Sequence, residues 1–147
     1  MADTNYLKYV VENFVRQKLS EEYKKNFEPK VLKLITGGTH EFDAVSEDGH
    51  IVGSIKTAGG KTATGKFPVG KVNTSLAELY YLSLVEAPER MLILTSTEFY
   101  EILKRYLTGR LAPGLTLKLI TLPEEIQRQV NKIRKKASIE VSKKTEV

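Results

Sequence analysis

Apolar residues recur at helical spacing from the start of the chain. Leu7, Val10, Val11, Phe14, Val15 and Leu19 follow one another at intervals of mostly three and four, which predicts an amphipathic helix over 3–25, capped by Asp3 or Thr4. Pro29 is expected to break that pattern, and 31–36 then alternates as a strand ending at Gly37-Gly38. Two more strands, 40–46 and 50–57, flank Glu47-Asp48-Gly49. An Asp-Gly pair between alternating segments predicts a tight hairpin, with positive φ at both central turn residues.

The segment 58–71 is rich in glycine, carries Lys61, Lys66 and Lys71 and has no acid, so it reads as a loop. A helix is expected over 74–86, with Leu76, Leu79, Tyr80, Leu82 and Leu84 nearly all round it and therefore well buried, until Pro88 ends it. Then come a strand over 91–95, a helix over 97–107, a strand over 115–121 and a helix over 123–137 that opens on proline. Helices between the third, fourth and fifth strands make those strands parallel by right-handed crossovers. The fold expected is a single three-layer α/β domain over 1–137, a mixed five-stranded sheet flanked by helices, followed by a basic, flexible tail over 138–147.

Composition narrows the chemistry. The 147 residues include no cysteine and only His40 and His50, so thiolate chemistry and cysteine-built metal sites are excluded, and any metal must be a hard cation held by oxygen. The net charge of +5 resides in the stretch 128–147, where Arg128, Lys132, Arg134, Lys135, Lys136, Lys143 and Lys144 face only Glu140 and Glu146. Such a tail suits a polyanion or is a solvated helix end. No apolar run is long enough to span a bilayer and no secretory signal opens the chain, so no membrane partner is expected and the default compartment is the cytoplasm.

The richest stretch is 41–56. It sets Asp43 in one arm of the hairpin and Ser54 and Lys56 in the other; alternation puts Asp43 on a face with Glu41 and Val45, and Lys56 on a face with Ser54 and Val52. If those faces coincide, a carboxylate, a hydroxyl and an ammonium meet. That set suits phosphodiester hydrolysis, in which the carboxylate holds Mg²⁺ and the lysine neutralises developing charge. A simple surface salt bridge is the plainer reading.

The order helix, hairpin with Asp43, Gly53-Ser54-Ile55-Lys56-Thr57, helix, strand, helix resembles the restriction-endonuclease-like PD-(D/E)XK nuclease superfamily over about 5–121. Phe42 replaces the proline before the aspartate, and Ser54 replaces the second acid. The resemblance implies a restriction-endonuclease-like fold and a Mg²⁺- or Mn²⁺-dependent endonuclease acting on DNA, with Asp43 as metal ligand and Lys56 as catalytic cation. A subset of that superfamily carries an S-x-K form in which a glutamate on the following helix takes over the metal. Ser54-Ile55-Lys56 has that form, and Glu78 is the internal acid of the next helix. Family members also often carry an acid on the first helix, which points to Glu12 as a further metal candidate. Many such nucleases cut as dimers, so a homodimer is one option, with Leu79 to Val85 available to an interface.

The alternatives remain in view. Glu78 reads also as an exposed stripe, Glu12 as a solvated helix acid, Glu41 as a second strand ligand, and His40 as a surface histidine or a phosphate contact. Ser54 makes a catalytically degenerate nucleic-acid-binding or assembly protein the second functional reading. A third is a P-loop, since Gly60-Lys61-Thr62-Ala63-Thr64-Gly65-Lys66 matches its first seven positions. Phe67 stands where Ser or Thr would meet Mg²⁺, and Pro68 delays the helix, so nucleotide hydrolysis is disfavoured. Lys61, Lys66 and Lys71 are retained as nucleic-acid backbone contacts.

Overall fold

The structure, a computed structural model, describes residues 4–59 and 66–133. Its elements run α1 (Thr4–Tyr23), β1 (Phe27–Lys33), β2 (Thr39–Ser46), β3 (Ile51–Lys56), α2 (Val69–Ser83), β4 (Glu89–Leu94), α3 (Thr97–Tyr106) and β5 (Leu115–Leu119), with a last described helix, α4, over 124–133. The five strands form one sheet in sequence order. β1, β2 and β3 are antiparallel, and β3, β4 and β5 are parallel, as the alternation of strands and helices predicts.

Three layers result because both faces of the sheet are apolar. On one face Phe42, Val45, Val52, Leu92 and Leu94 pack with Leu79 and Leu82 of α2 and with Phe99 and Leu103 of α3. On the other, Ala44, Ile51, Ile55, Met91 and Ile93 pack with Val11, Val15 and Leu19 of α1 and with Val130 of α4. β3 and β4 contribute alternate residues to each core, as strands covered on both sides must.

Several local expectations are corrected. Pro29 lies inside β1 instead of ending the preceding segment. β1 is an edge strand, where a residue without an N–H costs little. The turn after β2 has one positive φ, at Gly49 (75°), and not at Asp48. The Gly49 N–H closes the turn on the Ser46 carbonyl at 2.9 Å. α2 starts at Val69, within the expected loop, because Pro68 pre-sets the first turn and Val72 is drawn into the core. That helix is amphipathic instead of buried all round: Tyr80 is 62% exposed.

The alternation in β2 also fails at one place. Glu28 pairs with Val45 and Lys30 with Phe42, so two residues of β2, Asp43 and Ala44, stand opposite the single Pro29. This bulge puts Phe42 and Val45 in the same core and Ala44 in the other. Asp43 therefore does not share a face with Val45.

Candidate functional site

The bulge coincides with an opening in the sheet. β2 remains paired to β1 as far as Thr39, and β3 to β4 as far as Lys56, yet β2 and β3 pair with each other only at Ala44–Gly53 and Val45–Val52. Beyond that point the two strands part. The gap is bridged by a side chain: the Ile55 N–H donates to Asp43 Oδ2 at 2.8 Å. A bond from a backbone amide to a charged acceptor is worth about 1.5–3 kcal/mol, so it fixes where Asp43 points.

Opposite Pro29, which has no N–H to give, the Asp43 carbonyl accepts from Arg16 Nη1 at 2.9 Å. Arg16 lies one turn after Glu12 on α1, 3.7 Å from its carboxylate. Glu12 is buried, at 8% exposure, and not a solvated helix acid. Burial raises its pKa, and the neighbouring Asp43 charge raises it further. Lys8, 3.9 Å away, and Arg16 pull the other way without prevailing. Two carboxylates thus sit together in a place where burial outweighs the cations beside them.

A second cluster occupies the other side of β3. Ser54, fully buried, donates from Oγ to Glu78 Oε2 at 3.0 Å, and His40 Nε2 lies 3.2 Å from the same oxygen. The His40 ring stacks on Tyr81, with centroids 3.9 Å apart and planes within 7°, and meets Phe42 edge-on. Glu78 is therefore not on an exposed stripe, and His40 is not a free surface side chain. Both are half-buried and hold each other.

Lys56 follows Ile55 at the end of β3 and, by alternation, shares a face with Ser54. It is half-buried and forms no ion pair among the described residues. The opening thus brings Glu12 and Asp43 together on the α1 side, and Ser54, Glu78 and His40 together on the α2 side, with Ser54 and Ile55 as the joint, so the face of Asp43 and the face of Ser54 and Lys56 do not coincide, and the carboxylate and the ammonium flank the opening from opposite sides of the sheet. Among the described residues no three acids or histidines converge tightly enough to form a ready metal cage. Glu41 is exposed and outside both clusters. Lys66 is exposed, Lys71 is half-buried and donates to the Gly59 carbonyl at 2.9 Å, and Lys61, with the rest of the P-loop-like run before Lys66, and the basic tail after 133 lie outside the described residues.

Two contributors were not singled out in the sequence. Arg16 could have been found from its i, i+4 spacing to Glu12. Tyr81 had no sequence signal, since only the approach of α2 to β2 brings it over His40. No protein-family model, curated protein or solved structure matches this chain, so no relative's site can be transferred onto it.

Proposed function

We propose that the chain is a metal-dependent DNA endonuclease whose site is the opening between β2 and β3. The observation that carries this reading is the Glu12–Asp43 pair, two carboxylates at the point where two strands part, with the Glu12 pKa raised first by burial and then by the neighbouring Asp43. Such a donor pair fits a hard dication, Mg²⁺ or Mn²⁺, which would relieve that repulsion while keeping water and phosphate oxygens in its remaining positions. Bound there, the ion would supply electrophilic stabilisation to a phosphodiester.

The chain's own residues have separable tasks in this reading. Asp43 and Glu12 hold the cation, and Arg16 keeps the Asp43 backbone and the Glu12 side chain in place. Lys56, which forms no ion pair among the described residues, neutralises charge on a phosphate that reaches across the opening to the α2 side. Glu78 stands beside Ser54 at hydrogen-bond distance, so the negative charge that Ser54 lacks is present one side chain away, oriented by His40. The folding of Glu78 against Ser54 supports an S-x-K site of the kind the sequence resembles.

The test is cleavage of supercoiled, linear and branched DNA by the purified chain with Mg²⁺, with Mn²⁺ and with chelator. Metal-dependent cleavage that Lys56→Ala removes is expected, with DNA binding retained. No cleavage of any form, or cleavage that persists in chelator, overturns the reading. One observation favours a second reading, a degenerate DNA-binding relative: the Glu78 oxygen that faces Ser54 is already engaged by both Ser54 and His40. That reading expects salt-sensitive DNA binding without cleavage, its log–log salt slope falling by roughly 0.9 for each phosphate contact removed at Lys66 or Lys71.

A further inference from the structure

The parallel half of the sheet carries a polar recess that the proposed cleavage site does not use. The helices that follow β3 and β4 pack on one face of the sheet, whereas α4, which follows β5, packs on the other through Val130. The connections leaving the carboxyl ends of β4 and β5 therefore diverge. A crevice forms where neighbouring connections part to opposite faces, and in open α/β sheets such crevices take ligands. Here it measures about 670 Å³, within the roughly 300–1,000 Å³ of small-ligand sites.

We propose that this crevice binds a phosphomonoester carried on a nucleoside, either the terminal nucleotide of a nucleic-acid strand or a free nucleoside monophosphate. Beside apolar Ala58, Leu122 and Val130, its wall carries donors: Thr57 after β3, Thr95 and the first turn of α3 after β4, Thr121 after β5, Asn131 on α4, and Lys71. The hydroxyl of Thr95 carries the argument. Thr95 is only 5% exposed, and its side chain has no hydrogen-bond partner among the described residues. The sealed orphan atom among those residues is Arg90 Nε, so the Thr95 oxygen is open to the crevice it lines. A nearly buried hydroxyl left unbonded is costly unless a ligand or water meets it.

The start of α3 adds direction to that donor. Ser96 Oγ caps the helix by accepting from the Phe99 N–H at 3.2 Å, while the N–H groups of Thr97 and Glu98 have no acceptor among the described residues. Free amides at a helix start favour an anion. Asn131 Oδ1 accepts from Gln127 Nε2 at 2.9 Å, which leaves the Asn131 amide nitrogen to donate. Glu98 is the one acid on this wall and its side chain is exposed. Donors facing a recess of this size match a phosphate with a sugar and base behind it, and the site does not depend on the metal reading, since none of its groups belongs to the Glu12–Asp43 pair.

Calorimetric titration of the full chain in chelator, with deoxyadenosine monophosphate and with a short oligonucleotide bearing either a 5′-phosphate or a 5′-hydroxyl, tests this. The monophosphate should bind, and Thr95→Val and Thr97→Pro should each weaken it about tenfold, the first by removing a hydroxyl and the second by removing an amide at a position where proline keeps the helix. Thr95→Ser, which retains the hydroxyl, should bind as the unaltered chain does. Preference for the 5′-phosphorylated oligonucleotide assigns the site to strand ends; binding of the monophosphate alone assigns it to free nucleotide. No binding of the monophosphate or of the phosphorylated strand overturns the proposal. So does equal affinity for both oligonucleotides without monophosphate binding, or binding that Thr95→Val and Thr97→Pro leave unchanged in folded protein.

Discussion

The two ends of the β2–β3 hairpin treat a carboxylate in opposite ways. At the turn end, Asp48 accepts from Ser46 Oγ at 2.7 Å and from the His50 N–H at 3.1 Å and pairs with Lys25. Those donors, the Lys25 contact above all, hold its carboxyl well below the usual carboxylate range. At the open end, Asp43 has the Ile55 amide but also Glu12 beside it, and the Glu12 pKa moves up. One acid completes a turn. The other end of the same two strands places two carboxylates beside each other where burial raises the pKa of one of them.

The widest test of that contrast is activity. Asp43→Asn and Glu12→Gln should each abolish metal-dependent cleavage while DNA binding remains, whereas Asp48→Asn should leave cleavage unchanged. If Glu12→Gln cleaves normally and Glu78→Gln does not, the cation is held from the α2 side instead. Stability should separate them too: Mg²⁺ should raise the melting temperature of the unaltered chain and of Asp48→Asn, but not of Asp43→Asn.

Next in size are two substitutions where the strands part. Gly53 is in the last paired position, and a Cβ there would lie 2.9 Å from Ile93 Cδ1 and 3.4 Å from Met91 Cγ. Gly53→Ala should therefore destabilise the chain by about 1–3 kcal/mol in urea unfolding, through overpacking. Ser54→Ala strips Glu78 of its hydroxyl donor, and a hydrogen bond to a charged group is worth about 1.5–3 kcal/mol. His40 remains as a partner, so the lower part of that range is expected.

The smallest effect is in pH, and its sign differs between the two ends. Asp48 has a depressed pKa, so its contribution is present above the ordinary value of 3.8 and is lost as pH falls below it. Asp48→Asn should flatten the stability profile in that acid range. Glu12 is displaced upward from 4.5, so its charged form opposes folding, and its contribution improves as pH falls from neutral through the raised value. In chelator, Glu12→Gln should flatten that higher limb, measured by thermal unfolding across pH. Identical profiles for both variants would erase the distinction.

Much of the scaffold was legible because its signals are local. The hairpin, the helix of Val11, Val15 and Leu19, and the parallel order of β3, β4 and β5 follow from periodicity and from the helices between strands. The residues at the opening, Asp43, Ser54 and Lys56, were also visible as a pattern. Their arrangement was not, because the bulge at Asp43 and Ala44 depends on Pro29 in a different strand. A proline read only as the end of the helical pattern, outside the strand, concealed the feature that turns Asp43 toward α1.

The sequence by itself determined which elements form and which residues carry charge, since helix and strand periods, turn glycines and the absence of cysteine act within a few residues of one another. Only the tertiary structure decided which charges meet. Glu12 is solvated or buried according to how α1 lies on the sheet, and Glu78 is exposed or held according to where α2 brings it against Ser54 and His40. Those outcomes depend on contacts between residues 24 to 38 positions apart. The burial and the long-range electrostatics that set a carboxylate's behaviour exist only once the layers have closed.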